Sequence, residues 1–315
     1  DIPLGSSIHL ELIILHQARL TIAEEYASHG AFAPLPTDLA GNQVGVIGLI
    51  HQALADAQDR SHRDHLGCSQ IGRPCEREVW YGWRWAKRPD HHGRLLRLFR
   101  RGQDEEEKIV ADLRAIGLEV HDVSPKTKRQ FTVSHLAGHI GGSLDGAGKG
   151  VPGQPLTWMV LEFKTSGLKS FNRLVKNLVE KEKPEHYVQM QLYMLFTGMK
   201  SALYLAVCKD NDEIHTELIE FDGPKAKAAR EKAERIVKAE APPPKIAQTS
   251  AWFQCHWCNH KDHCHGTSAP LPNCRTCTHA KPYLDEDFHG LWRCSRHGRP
   301  LSHQDQENGC SDHLY

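Results

Sequence analysis

Apolar residues recur along this chain in two periods. Helical spacing marks Ile8–Tyr26, Val46–Arg60, Leu95–Ile116, Leu168–Lys181, a segment opening at Pro184 and running to Met194, and Lys225–Ala239. Gly117 supplies the stop for the third of these, and Pro184 stands near the first turn of the fifth. Short β-compatible runs read as strands at Leu118–Val123, Arg129–His135, Ser201–Cys208 and Ile214–Phe221. Gly30–Gly45 is a Pro/Gly/Ala-rich connector, and the run from Ala241 to Lys245 is a stiff, extended one. Strands interleaved with helices predict an α/β fold with a central mixed sheet flanked by helices.

Between the second and third strands of this pattern and its next helix lies His139–Lys164, read as a hairpin closed by a Gly/Pro loop. Asp145 ends its first strand and Glu162-Phe163-Lys164 ends its second. Alternation along a strand puts Glu162 and Lys164 on one face and turns Phe163 inward. With Asp145 opposite, two carboxylates and an ammonium converge. Hard oxygen ligands of that kind suit Mg²⁺ or Mn²⁺, and a neighbouring cation can orient water or offset charge developing on a phosphate. The bland alternative is an exposed hairpin carrying one salt bridge. On the following helix Gln189 and Tyr193 stand four residues apart and so share a face.

Asp145, then Glu162-x-Lys164 on the next strand, then Gln189-x-x-x-Tyr193 on the next helix resembles the RecB-type branch of the PD-(D/E)XK (restriction-endonuclease-like) nucleases. The order of elements is similar to that family's αβββαβ core from about Arg94 to Phe221. The resemblance implies that Asp145, Glu162, Lys164, Gln189 and Tyr193 form the catalytic set. It also implies an acidic metal ligand on the preceding helix, one turn after a glycine. Glu106, after Gly102, fits that place, with Glu105 and Glu107 as neighbours in register; three consecutive Glu are otherwise an ordinary solvated face.

Composition changes the picture only locally. Lys plus Arg and Asp plus Glu number 39 each, so net charge gives no sign of a nucleic-acid partner. Between Ile71 and Arg101, however, nine basic residues face three acidic ones, with Trp80, Tyr81, Trp83 and Trp85 interleaved. Cations for phosphates beside aromatic faces for bases suit a single-stranded path, and Arg73, Arg77, Arg84, Arg97, Arg100 and Arg101 are the expected DNA contacts. The alternative is a set of core aromatics with solvated arginines. No apolar run approaches the length of a membrane span.

Ten cysteines without a secretory signal point to a reducing, cytoplasmic setting in which clustered thiols bind metals. Cys255, Cys258 and Cys264 form C-x2-C-x5-C, one ligand short of a tetrahedral or cubane site. Cys75, preceding Glu76-Arg77, is the natural fourth; Cys68 is the alternative, and Cys208 within an apolar strand reads as a buried thiol. Spacing alone suits zinc or iron-sulfur equally. One upstream Cys and a downstream C-x2-C-x5-C resemble the iron-sulfur nucleases, namely the CRISPR-adaptation exonucleases and the AddB nuclease domain, and that resemblance implies a [4Fe-4S] cluster clamping the two ends of the domain. Cys274, Cys277, Cys294 and Cys310, with His297, His303 and His313 nearby, form a second set expected to bind Zn²⁺ in a ribbon-like module.

The expected organisation is therefore residues 1–60 as a helical segment, 61–265 as the nuclease domain and 266–315 as a Cys/His-rich module. Because the chain opens on Asp1 rather than Met, the first segment reads as a fragment or an upstream read-through. The expected activity is metal-dependent hydrolysis of DNA, as an exonuclease at ends during recombination or repair in a phage or bacterial setting, with a recombination or helicase partner. A non-catalytic DNA-binding iron-sulfur module that keeps the fold is the competing class, and a redox carrier a weaker third.

Overall fold

The computed structural model describes residues 45–315. The chain divides into two units, residues 1–56 and 57–315. Of the first, the described part is one amphipathic helix, α1 (Val46–Asp56), which stops short of the expected Arg60. The helix expected over Ile8–Tyr26, and the connector up to residue 44, lie outside the described residues.

The second unit opens with β1 (Leu66–Gly67), the short α2 (Cys68–Ile71) and α3 (Glu76–Trp83). Then comes α4 (Gly93–Ala115), whose start is capped by the His92 side chain accepting from Leu95 N–H. Gly117, at φ +90°, lets the chain turn out of α4 into β2 (Glu119–His121). β3 (Thr132–His135) and β4 (Ile140–Ser143) pair antiparallel, and β1 joins β4 in parallel to complete a small sheet. The main sheet has the order β2, β5 (Gly146–Lys149), β6 (Met159–Ser166), β7 (Ser201–Cys208), β8 (Ile214–Glu220). Only β6 and β7 pair in parallel, and two helices, α5 (Leu168–Glu182) and α6 (Pro184–Thr197), make the crossover that a parallel pair requires. α7 (Gly223–Lys238) follows β8.

Helices cover both faces of this sheet, which is why β7 is buried at every position and reads as an unbroken apolar run. Met159, Leu161 and Phe163 of β6 pack with Leu203, Leu205 and Val207 of β7 against Ile109, Val110 and Leu113 of α4. On the other face Val160, Ala202 and Tyr204 pack against Met190, Tyr193 and Met194 of α6 and the alanines of α7.

One expectation is corrected here. The first strand of the presumed hairpin is β4, which belongs to the small sheet; β6 pairs instead with β5, which lies within the expected Gly/Pro loop, and Asp145 sits in the crossing between β4 and β5. A Cβ on Gly142 would stand 2.6 Å from the Tyr193 hydroxyl, so β4 runs under α6 where no side chain fits.

Residues 57–315, which include the expected module over 266–315, form one compact unit. Beyond α7, two short helices, α8 (Phe253–His256) and α9 (Lys261–His265), lead to a three-stranded antiparallel ribbon. It consists of β9 (Ala280–Pro282), β10 (Trp292–Cys294) and β11 (Arg299–Leu301), and is followed by α10 (His303–Asn308). Trp292 is fully buried against Trp83, with ring centres 4.9 Å apart. Arg275, also fully buried, lies 3.7 Å over Trp85. The C-terminal segment thus completes the core of the unit. Among the described residues no helix is long and apolar enough to cross a membrane.

Candidate active site

Asp145, Glu162 and Lys164 meet where the β5–β6 ladder runs out. The last pairing is Gly146 with Leu161, which leaves the Phe163 N–H without a strand partner. The Asp145 carboxylate takes that place, accepting the amide through Oδ2 at 2.7 Å. Alternation puts Glu162 and Lys164 on the α6 side of β6, as expected, but that side is not open water: Glu162 is fully buried. Lys164 Nζ is ion-paired with Glu162 Oε1, lies 3.8 Å from Asp145 Oδ2 and donates to the Phe163 carbonyl at 3.0 Å.

The helical spacing of Gln189 and Tyr193 serves the same point. Gln189 Nε2 donates to Glu162 Oε2 at 3.1 Å and to the Tyr193 hydroxyl at 3.2 Å. Tyr193 in turn donates to the Ser143 carbonyl at 2.7 Å, tying the end of β4, two residues before Asp145, to α6. Glu106 reaches the site from α4. With Gly102, Ile109, Phe163, Lys164 and Thr165 it lines a pocket of about 160 Å³. Its neighbours do not share that role: Glu105 pairs with Lys108 at 3.1 Å, and Glu107 is exposed.

These groups perturb one another. Burial pushes the Glu106 carboxyl up to about 7, repulsion from Asp145 adds to this, and Lys164 opposes it. Burial likewise raises Glu162 to about 8, a rise that the Lys164 ammonium beside it limits and the Asp145 charge increases. Burial pulls Lys164 down, but Glu162 and Asp145 together outweigh it and hold the ammonium charged well above its ordinary range.

Two supporting residues escaped the sequence reading. Tyr204 of β7 is in register with Glu162, and its hydroxyl is 2.9 Å from Nδ1 of His186, in the first turn of α6. Burial, then the charges of Lys164 and Lys183, lower His186 to about 3, so the ring is neutral. Tyr204 and His186 back the Glu162–Lys164 pair from behind. The available signal was a lone phenol in an otherwise apolar strand.

The expected DNA contacts scatter. Arg97 and Arg100 are exposed on α4, upstream of Glu106, and Arg101 beside them donates to the Lys209 carbonyl at 2.7 Å. Arg73 pairs with Glu78 at 2.5 Å, and Arg77 donates to the carbonyls of Pro243 and Pro242, fastening the proline-rich connector. Arg84 is a correction: it is 4% exposed, donates to the carbonyls of Arg275, Ala280 and Ala239, and lies over Trp80, Trp83 and Trp292. Trp80, Tyr81, Trp83 and Trp85 are buried too, so they form core and not a platform for bases.

Both thiol sets converge in space. Cys75, at the start of α3, lines one small pocket with Cys255 of α8, Cys258 of the link that follows it and Cys264 of α9. Cys68 stands apart from them, fully buried in α2, with its thiol pushed up to about 12 by burial. Cys208 is buried in β7. Cys274, Cys277, Cys294 and Cys310 line a second pocket, of about 220 Å³. Among the described residues, no three His, Cys, Asp or Glu side chains stand in a geometry that would already grip a metal ion.

No protein-family model matches this chain, and no curated protein sequence does. Among solved structures it is similar to the alkaline exonuclease LHK-Exo from Laribacter hongkongensis, with 16% identity, covering 59% of this chain and 90% of that one at a TM-score of 0.39. The same protein in complex with dAMP gives 16% identity, 60% and 89% coverage and a TM-score of 0.41. A phage-related exonuclease from Haemophilus somnus 129PT gives 17%, 56% and 92%, with a TM-score of 0.35.

Proposed function

We propose that this chain is a Mg²⁺- or Mn²⁺-dependent deoxyribonuclease that hydrolyses phosphodiester bonds at DNA ends. The observation that carries the reading is the Lys164 ammonium held against both Glu162 and Asp145, with a third carboxylate, Glu106, beside it in an open pocket. Three hard-oxygen donors suit either cation. Glu162 adds a specific sign of fit: its Oε1 is buried and, apart from the Lys164 ion pair, has no hydrogen-bond donor. When bound, such an ion acidifies water and polarises a phosphoryl oxygen.

The chain's own groups have separable tasks. Lys164 stays cationic through the neutral range, so it serves as a positive charge that orients water and offsets charge on the phosphate, and not as a proton acceptor. Gln189 fixes the Glu162 carboxylate, and Tyr193 fixes the strand end that carries Asp145. Arg97, Arg100 and Arg101, on the helix that also carries Glu106, offer cations to the strand leading in. Action at ends, a role in recombination or repair, a phage or bacterial source and a recombination or helicase partner follow from the RecB-type motif order. Cys75, Cys255, Cys258 and Cys264 line one pocket on either side of the nuclease core in sequence, and we assign them a [4Fe-4S] cluster in preference to zinc. Absorbance near ~400 nm that is lost in Cys75→Ala checks it.

The decisive assay uses end-labelled DNA with Mg²⁺ or Mn²⁺ and with EDTA. Asp145→Asn keeps an amide oxygen for the Phe163 N–H, so it stays folded while losing at least ~100-fold in activity, the upper end of what loss of a supporting residue around a metal costs. A wild-type protein that binds DNA but never cuts it would instead favour the non-catalytic DNA-binding module.

A further inference from the structure

We infer that Cys274, Cys277, Cys294 and Cys310 form a structural zinc site that fastens the C-terminal ribbon to the core of the unit. The four come from three separate pieces of chain. Cys274 and Cys277 bracket a tight turn capped by Asn273, Cys294 ends β10 opposite Ala280 and Arg299, and Cys310 follows α10. Cys274, Cys277 and Cys294 are buried, Cys310 is exposed, and all four are free thiols on the wall of one cavity of about 220 Å³. Four thiolates are the donor set of a closed tetrahedral zinc site, and the four sulfurs share one cavity into which they can draw together on binding.

The ribbon's own architecture calls for such a tie. Its strands are three residues each, too short to hold together alone. Yet β10 must present Trp292 to Trp83, and the turn before β9 must present Arg275 to Trp85. Two of the thiols make weak hydrogen bonds: the amide given to Cys277 is of the kind that a bound thiolate keeps, and the one Cys274 donates would go with its proton on binding. Leu314 N–H donates to Cys277 Sγ at 3.5 Å, and Cys274 Sγ donates to the Asp305 carbonyl at 3.2 Å. Two of the imidazoles that line the cavity with His279 have other partners: His297 lies 3.7 Å from Cys310 Sγ and 3.5 Å from Asp312, and His313 lies 3.1 Å from the Thr276 hydroxyl.

The same ribbon grips the turn that feeds β4. The Tyr283 carbonyl lies 2.7 Å from His139 Nε2, and Gly290 N–H donates to the Ala137 carbonyl at 2.6 Å. Loss of zinc therefore loosens β4, whose far end Tyr193 holds beside Asp145.

Metal content of the whole chain tests this independently of nuclease activity. Wild-type protein should carry zinc that persists in Cys75→Ser, and Cys310→Ser, at the exposed ligand, should bind it at least ~100-fold more weakly. Replacing the zinc with Co²⁺ in wild-type protein should produce thiolate charge-transfer absorbance, which decides the matter if the Cys310 variant fails to fold. Chelation should shift the emission of the buried Trp83 and Trp292. Absence of zinc from wild type, iron at these four cysteines, or equal metal loss in His297→Ala and Cys310→Ser would each overturn the assignment.

Discussion

Replacing Lys164 by Met removes the cation that holds the Glu162 carboxyl down to about 8, and the consequence can be worked from the site. Glu162 is fully buried, and Met fills much of the lysine stem's volume, so the main loss is electrostatic. Below its ordinary value of 4.5, Glu162 is protonated in the folded and the unfolded chain alike, and the substitution costs nothing through this group. From there to about 8 the unfolded chain releases the proton while folded wild type and variant both keep it, so the two lose stability together as pH rises. Above about 8 wild-type Glu162 ionises beside Lys164 while the variant retains its proton, and the variant falls behind by about 1.36 kcal/mol per pH unit, a bound of ~1.4 kcal/mol at about pH 9. That corresponds to a further lowering of Tm by roughly 3–6 °C. Urea or thermal melts of wild type, Lys164→Met and Lys164→Met/Glu162→Gln at about pH 7 and about pH 9 measure it. The double variant has no carboxyl to titrate, so its stability should lose the pH-dependent part. A gap between wild type and Lys164→Met that is the same at both pH values, or no recovery in the double variant, would refute the account of Glu162 as a buried carboxyl whose ionisation Lys164 assists.

Three further outcomes follow. Because burial and Asp145 lift Glu106 to about 7, and a metal needs the deprotonated form, nuclease activity should rise from pH 6 to 8, with a midpoint that moves down as the divalent concentration increases; Glu106→Gln should flatten that profile. Glu substitution of the exposed Arg97 and Arg100 should weaken DNA binding alike for all sequences and reduce the salt dependence, read as the slope of log affinity against log salt, by about 1 for each phosphate no longer neutralised. Arg275→Ala should destabilise the protein by roughly 3–5 kcal/mol in denaturant melts, since it empties a buried site over Trp85 and strands the side chain of Gln306, which now accepts from Arg275 Nε at 2.8 Å.

Pattern and spacing alone settled a good deal of this molecule. β7 was expected at Ser201–Cys208 and is found there, because an unbroken apolar run of that length between turn-formers has few other uses. α4 and α6 start and end near their signals, and the four-residue step from Gln189 to Tyr193 and the two-residue step from Glu162 to Lys164 aim each pair at one face whatever surrounds them. What lies against that face is another matter. Arg84 and the tryptophans from 80 to 85 carry the same chemistry on a nucleic-acid path or in a core. They are core here because Arg275, Ala280 and Trp292, some two hundred residues on, supply the carbonyls and rings that cover them. Likewise, that β6 takes β5 as its partner while β4 joins β1 and β3 is a matter of which strands meet in space, which no local pattern records. Periodicity is a local property of the backbone and is written in neighbouring residues; burial depends on which distant segment arrives, and only the folded chain decides that.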